Sequence, residues 1–74
     1  MEETISKIVE EWFLTEPLLF SAWCTHTLAE NTKMNVPMRT GKMRIEYNPD
    51  MMKDWGRRQI EERLRFEVIR ILLG

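Results

Sequence analysis

The sequence has few of the side chains that build metal sites and disulfide bonds. Cys24 is the only cysteine and His26 is the only histidine among the 74 residues. A single cysteine excludes an intrachain disulfide and favours a reducing compartment, so we expect a cytoplasmic protein. Structural zinc needs three or four ligands, and these two side chains are too few. We therefore expect no cofactor and predict a structural role for His26.

Long apolar segments and clustered glycines are missing as well. No stretch approaches the roughly 18–20 apolar residues of a membrane span, and the acidic N-terminus lacks the apolar segment of a signal peptide. The three glycines stand apart from one another, which excludes a phosphate-binding glycine loop. The net charge of −1 provides no general attraction to nucleic acid or membrane. We expect no membrane partner.

The length and composition predict one small domain that spans residues 1–74. Hydrophobic residues make up 43% of the chain and charged residues 31%, which is typical of a folded protein. The charges are unevenly spread, because residues 1–16 carry five acids and one base, whereas residues 33–44 carry four bases and no acid. This polarity could orient a partner or a second copy, and the plainer interpretation is two solvated faces on separate elements.

The apolar periodicity predicts two helices at the start of the chain. The first has one apolar stripe, formed by Ile5, Ile8, Val9, Trp12 and Phe13. Thr15 is a candidate N-cap for a second helix over about residues 16–30, with Pro17 in its first turn. Broad apolar coverage indicates that this second helix is the most buried element, and Leu19 and Trp23 are predicted core residues.

A β-ribbon and a last helix are predicted for the rest of the chain. Residues 31–35 are polar and indicate a loop, and a short edge strand over 36–38 precedes a turn at Thr40 and Gly41. Residues 42–47 alternate strictly, which predicts a half-buried strand with Met43, Ile45 and Tyr47 on one face. Asn48 is a candidate helix cap before Pro49. The last helix follows Gly56, so the predicted class is α+β: two helices, a ribbon and a C-terminal helix.

Three segments resemble a known family when they are taken in order and spacing. They are FLTEPLLFSAW, RTGKMRIEYNPD and LRFEVIRILLG. Together they resemble the metallopeptidase-like domain that precedes von Willebrand factor A-like domains in bacterial proteins. The resemblance covers most of the chain from Trp12 onward. It implies that the last helix corresponds to the zinc-binding helix of those peptidases and that the chain is truncated relative to the family.

The zinc-binding motif of that family is degenerate in this sequence. Active relatives carry His-Glu-x-x-His, in which two histidines one helical turn apart bind zinc and the glutamate acts as general base. Matched position by position, the ligands become Phe66 and Arg70, and the general-base position is Glu67. A phenylalanine cannot bind a metal, and an arginine repels a dication. The resemblance therefore implies a non-catalytic domain without zinc, in which Glu67 pairs with Arg63 or Arg70 as an ordinary helix carboxylate.

The last helix carries more apolar surface than one core contact requires. Ile60, Leu64, Val68, Ile71 and Leu72 form one arc, with Leu64 at the centre of the predicted core. Phe66, Ile69 and Leu73 form a second strip beside Arg70. Either the rest of the domain wraps this strip, or the strip binds a protein partner or a second copy, with Arg70 pairing to Glu67 of that copy. We expect self-association or protein binding.

Two alternative functions from other classes remain open. A zinc-dependent peptidase fragment would take its missing ligands from outside this chain. A nucleic-acid-binding module would use the basic ribbon 33–44, with Arg39, Lys42 and Arg44 on phosphates and Tyr47 stacked on a base. The acidic overall charge and the lack of a known reader motif make nucleic acid the less favoured partner.

Overall fold

Four helices and three short strands follow one another along the chain in the computed structural model, which describes all residues 1–74. The elements are α1 (Glu2–Thr15), α2 (Pro17–Cys24), β1 (Thr27–Glu30), β2 (Met38–Gly41), β3 (Arg44–Tyr47), α3 (Pro49–Met52) and α4 (Arg57–Leu73). The predicted α+β class is confirmed. None of the helices is long and apolar enough to cross a membrane.

Helix α1 buries the predicted stripe with one exception. Ile5, Ile8, Val9 and Trp12 are buried, but Phe13 is 62% exposed and packs edge-on against Phe20. Thr15 is not the cap of α2, as predicted, because it is the last residue of α1 and its hydroxyl donates to the Glu11 carbonyl. Glu16 occupies the N-cap position of α2.

Helix α2 ends six residues earlier than predicted. The Thr25 hydroxyl donates to the Ala22 carbonyl at 2.8 Å, and the chain leaves the helix at that point. Residues Thr27–Glu30 then form β1, which pairs in parallel with β3. The prediction of a helix to residue 30 was wrong because pairing with a distant strand overrides the local apolar pattern.

The sheet has the order β1–β3–β2, with β2 antiparallel to β3. The predicted strand bounds were displaced, because Thr40 and Gly41 belong to β2, and Lys42 and Met43 form the turn. Met43 has a φ of 58° and is 63% exposed, so its predicted place on the buried face beside Ile45 was wrong. A left-handed backbone is costly for a side chain of this kind.

The core lies between the helices and one face of the sheet. Its fully buried side chains include Ile45 of β3, and Leu64 and Val68 of α4. Leu19 is also buried, whereas Trp23 packs against the core and is only partly buried. The predicted core residues Leu19, Ile45 and Leu64 are therefore confirmed, and Trp23 lies at the margin.

The turn after β3 follows its predicted design. The Asn48 side chain accepts a hydrogen bond from the Asp50 N–H, and Pro49 begins α3. The Asn48 amide also donates to the Met34 carbonyl at 2.9 Å, which ties the loop before β2 to the start of α3. Asn48 is 3% exposed, so its side-chain groups are buried and satisfied.

Candidate binding surface around Glu67

Glu67 is fully buried, although it is charged and lies on the last helix. Its Oε1 accepts a hydrogen bond from the Thr40 hydroxyl at 2.9 Å, and its Oε2 accepts one from Arg63 Nε at 3.1 Å. The predicted pairing with Arg63 or Arg70 is confirmed, since both arginines lie within ion-pair distance. The description of Glu67 as an ordinary helix carboxylate was wrong, because a buried carboxylate needs these partners to offset its lost hydration.

Arg63 connects the buried carboxylate to the edge of the sheet. Its Nη2 donates to the Met38 carbonyl at 2.7 Å, while its Nε bonds to Glu67. Its side chain is 30% exposed. One guanidinium thus satisfies a strand carbonyl and a helix carboxylate together, which uses the fork geometry that lysine lacks. Arg63 and Thr40 attach α4 to β2.

Arg70 is held much more loosely. Its Nη1 lies 3.7 Å from Glu67 Oε1, which is beyond hydrogen-bond distance. Its side chain is 61% exposed. The guanidinium carbons of both arginines lie 5.7 Å from the centre of the Phe66 ring. Two guanidinium groups share one carboxylate, so this cluster carries a surplus positive charge.

The residues of this cluster do not fit the zinc ion that active members of the resembled family bind. Phe66 offers no ligand atom, and both Glu67 oxygens already accept hydrogen bonds from their own chain. Arg63 and Arg70 would repel a dication at this position. Nowhere in the chain do three or more histidine, cysteine, aspartate or glutamate side chains lie together. The side chains of this cluster therefore do not suit zinc, and the absence of bound zinc stays a prediction.

The second apolar strip of α4 faces outward. Phe66 is 54% exposed, Ile69 38% and Leu73 83%. Leu72 is also 46% exposed, so its predicted place in the core arc was wrong. If each side chain has an accessible area near the lower end of the range for aromatic side chains, on the order of 150–200 Å², these four residues leave roughly 300–450 Å² of apolar surface uncovered. That is within the size of the largest apolar patch on a typical monomer, which is often a functional surface.

The basic ribbon is partly neutralised and has no stacking aromatic. Arg39 Nε donates to Glu46 at 2.9 Å, and the hydrogen bonds from Asn31 and Arg39 hold the pKa of Glu46 below its usual value of 4.5. Tyr47 is 3% exposed, and its hydroxyl donates to Glu2. Burial, together with Glu2 and Glu30, raises the pKa of Tyr47 above 10.0. Tyr47 faces the core, so the predicted base stacking was wrong.

His26 follows the C-cap of α2 and lines a surface pocket. Its Nδ1 lies 2.8 Å from the Thr25 hydroxyl and 3.1 Å from the Ala22 carbonyl. Because the carbonyl can only accept, this geometry places a hydrogen on Nδ1. The imidazole is thus part of the end of α2, which agrees with the structural role predicted for it. Cys24, the other side chain considered as a metal ligand, is exposed.

Two surface features were not predicted from the sequence. One is an exposed apolar group at the α1–α2 junction, formed by Phe13, Leu14 and Leu18, which are 62%, 81% and 73% exposed. The other is the pocket of about 560 Å³ between β2 and the end of α4, lined in part by His26, Thr40 and Arg70. These three come from distant parts of the chain, and no sequence signal relates them.

Comparison of the chain with protein-family models, with curated proteins and with solved structures found no match. The resemblance to the metallopeptidase-like family therefore depends on the sequence segments and their order alone.

Proposed function

We propose that this chain is a non-catalytic, metallopeptidase-like domain that acts by protein interaction, and that it associates with a second copy of itself. The observation that supports the proposal most is the exposed strip of Phe66, Ile69 and Leu73 on α4. The opposite side of the same helix is already in the core through Leu64 and Val68. The strip is therefore free to make a second contact.

The spacing of the strip suits a helix–helix contact. Phe66, Ile69 and Leu73 follow one another at intervals of three and four residues, which is the a–d–a spacing of a helix seam. A two-fold axis near Ile69 would bring the strip of one copy onto the same strip of the other. Such a contact is self-complementary and closed, so it gives a dimer and not a filament.

The apolar area of the proposed contact limits the expected affinity of the dimer. Burial of the strip together with Leu72, roughly 300–450 Å² per copy, is about half of the 800 Å² that each partner buries in a standard interface. Buried area does not convert to affinity in proportion at a protein–protein interface, because association itself costs about 4–15 kcal/mol. A contact about half the standard size is typical of weak complexes, so we expect a weak dimer that forms at about micromolar concentrations or above.

The charged residues beside the strip change the contacts expected at the edge of this dimer interface. Glu67 is buried against its own arginines, so the predicted pair between Arg70 and Glu67 of a second copy was wrong. A two-fold axis near Ile69 instead brings the two Arg70 side chains towards each other. Salt screens like charges, so added salt should strengthen the dimer. Association with nucleic acid would weaken in salt.

The two alternatives have less support. A peptidase fragment completed by ligands from another chain would need Glu67 free to act as general base, but both of its oxygens accept hydrogen bonds. A nucleic-acid module would need an exposed aromatic on the basic ribbon, and Tyr47 is buried. The single cysteine is compatible with the cytoplasmic location proposed here.

Sedimentation velocity across about 1–300 µM tests the proposal. The wild-type chain should shift from monomer to dimer, and Ile69→Glu should remain monomeric, because it places a charge at the centre of the strip. Leu14→Glu is the matched control, since Leu14 is an 81% exposed leucine on α1 and not on the helix that carries the strip. Circular dichroism confirms that each variant is folded.

A wild-type chain that stays monomeric throughout the concentration range would overturn the proposal. Equal dissociation by Leu14→Glu would overturn it too, because the contact would then not lie on α4. If Ile69→Glu lowers stability, Phe66→Ser gives the same test at a more exposed position. Zinc content measured on the same samples addresses the peptidase alternative.

A further inference from the structure

The three-stranded sheet has two edges, and a side chain of α4 caps the edge formed by β2. The Pro37 carbonyl accepts a hydrogen bond from the Asn48 N–H, and antiparallel pairs alternate, so the next residue, Met38, directs its carbonyl away from β3. Arg63 Nη2 donates to that carbonyl at 2.7 Å. The outward carbonyl of Met38 is therefore satisfied within the chain.

β1 forms the other edge, and part of its backbone has no hydrogen-bond partner. The Thr27 N–H donates to the Met43 carbonyl at 3.0 Å, so Thr27 faces β3. Alternate residues of a strand face the same neighbour, which turns the N–H and C=O groups of Leu28 and Glu30 to the free side. No backbone hydrogen bond from a turn or loop reaches these groups, and no side chain bonds to them. The free side of β1 thus offers donors and acceptors to another chain.

The β1 edge is short but has little that prevents pairing with another strand. Residues 27–30 contain no proline and no lysine, the residues that commonly block such an edge. Leu28 packs against the core, which holds the strand in place without a partner. An extended segment of about four residues matches the length of β1.

Two carboxylates give one end of this edge a negative charge. Glu30 is aligned with Tyr47 of β3, and Glu2 accepts a hydrogen bond from the Tyr47 hydroxyl at 3.4 Å. Both glutamates are exposed, and neither takes part in an ion pair. The nearest strand cation, Arg44, is aligned with Thr27 at the other end of β1. A segment that suits this edge therefore carries a lysine or arginine at the Glu30 end.

We propose that the free edge of β1 binds an extended, basic segment of another protein, which adds a fourth strand to the sheet. The backbone groups of Leu28 and Glu30 bond to the backbone of the segment, as in other cases of β-strand addition. A lysine or arginine of the segment pairs with Glu30 and Glu2. A second β1 strand suits the edge less well, because residues 27–30 offer no cation to Glu30. The edge lies on β1 and the apolar strip lies on α4, so this binding does not depend on self-association.

Titration with the peptide acetyl-Val-Thr-Val-Lys-Val-Thr-amide, followed by ¹H–¹⁵N NMR, tests the proposal. The Leu28 and Glu30 amide protons should move downfield in a saturable manner, because their free N–H groups gain acceptors. The same peptide with glutamate in place of lysine should bind about tenfold more weakly or less, because it brings a like charge to Glu30. The titration uses the Ile69→Glu chain, so that the proposed dimer does not affect the result.

N-methylated peptides test whether the contact is made by the backbone. One peptide is methylated at its first, third and fifth amides, and the other at its second, fourth and sixth. Alternate amides of an added strand face β1, so one of the two peptides should fail to bind and the other should still bind. A contact made by side chains alone would not distinguish the two peptides in this way.

A pair of variants tests the charge at the Glu30 end. Glu30→Gln should weaken binding of the lysine peptide about tenfold and should improve binding of the glutamate peptide. Glu62→Gln is its control, because it removes an equal charge from a 68% exposed side chain on α4. Glu62→Gln should leave the affinity for both peptides unchanged.

Three results would overturn the proposal. The first is the absence of saturable shifts at Leu28 and Glu30 in a folded chain. The second is equal behaviour of the two methylated peptides, or of Glu30→Gln and Glu62→Gln. The third is a dimer of Ile69→Glu in which the Leu28 and Glu30 amides resist hydrogen exchange without peptide, because a second copy would then occupy the edge.

Discussion

The buried ion pair between Arg63 and Glu67 can be measured against a matched pair on the same helix. Arg58 and Glu62 have the same order and the same four-residue spacing, and their N–O distance of 3.3 Å is close to the 3.1 Å of the buried pair. The two pairs differ in exposure. Arg58 and Glu62 are 92% and 68% exposed, whereas Arg63 and Glu67 are 30% and 0% exposed. The comparison therefore measures the effect of burial together with the further partners that burial brings, Thr40 and the Met38 carbonyl.

A double-mutant cycle gives the interaction free energy of each pair. For the exposed pair we expect a coupling of about 0.3–0.5 kcal/mol, as for other helix-surface pairs. Removing one partner from a fully buried pair costs about 3–5 kcal/mol. Here Thr40 and Arg70 still face Glu67 after Arg63→Ala, and Arg63 itself is partly in water. We therefore expect an intermediate coupling of about 2 kcal/mol between Arg63 and Glu67.

Urea unfolding followed by tryptophan fluorescence provides the measurement, because three tryptophans report on the core. The four chains of each cycle are wild type, Arg→Ala, Glu→Gln and the double variant, all at pH 7. For a domain of this size a change of 1 kcal/mol also shifts Tm by about 4–8 °C. Equal coupling in the two cycles, or a Glu67→Gln variant as stable as wild type, would refute the stabilising role given to the Arg63–Glu67 pair.

Three further predictions concern single positions. Leu64→Ala should lower the free energy of unfolding by about 2–5 kcal/mol, and Leu18→Ala, at a 73% exposed leucine, should change it by less than about 0.5 kcal/mol in the same urea assay. Tyr47 is the only tyrosine, so absorbance at 295 nm should show that its pKa lies above 10.0 in the folded chain. The stability that Tyr47 contributes should be present below pH 10 and should be lost as the pH rises towards the folded-state pKa. Glu46 has a lowered pKa, so its contribution to the free energy of unfolding should be present above about pH 4.5 and lost as the pH falls towards the folded-state pKa. The Glu46→Gln variant should therefore lose less stability than the wild-type chain on acidification.

The candidate site was only partly predictable. The degenerate motif drew attention to Phe66, Glu67 and Arg70, and these residues do lie in one cluster. The sequence could not show that Glu67 is buried, because its partner Thr40 is 27 residues away on a strand. It also could not place His26 beside Arg70 in one pocket, since that requires the path of the sheet.

The amino-acid sequence by itself determined the features that depend on neighbouring residues. These are the apolar stripes of α1 and α4, the cap at Asn48, and the α+β class, because helical periodicity and capping act within a few residues. Tertiary structure decided the rest. Residues 27–30 became a parallel strand only because β3 was available to pair with them. Parallel pairing and the burial of Glu67 both depend on contacts between segments that are distant in the chain. Local sequence patterns do not indicate such contacts.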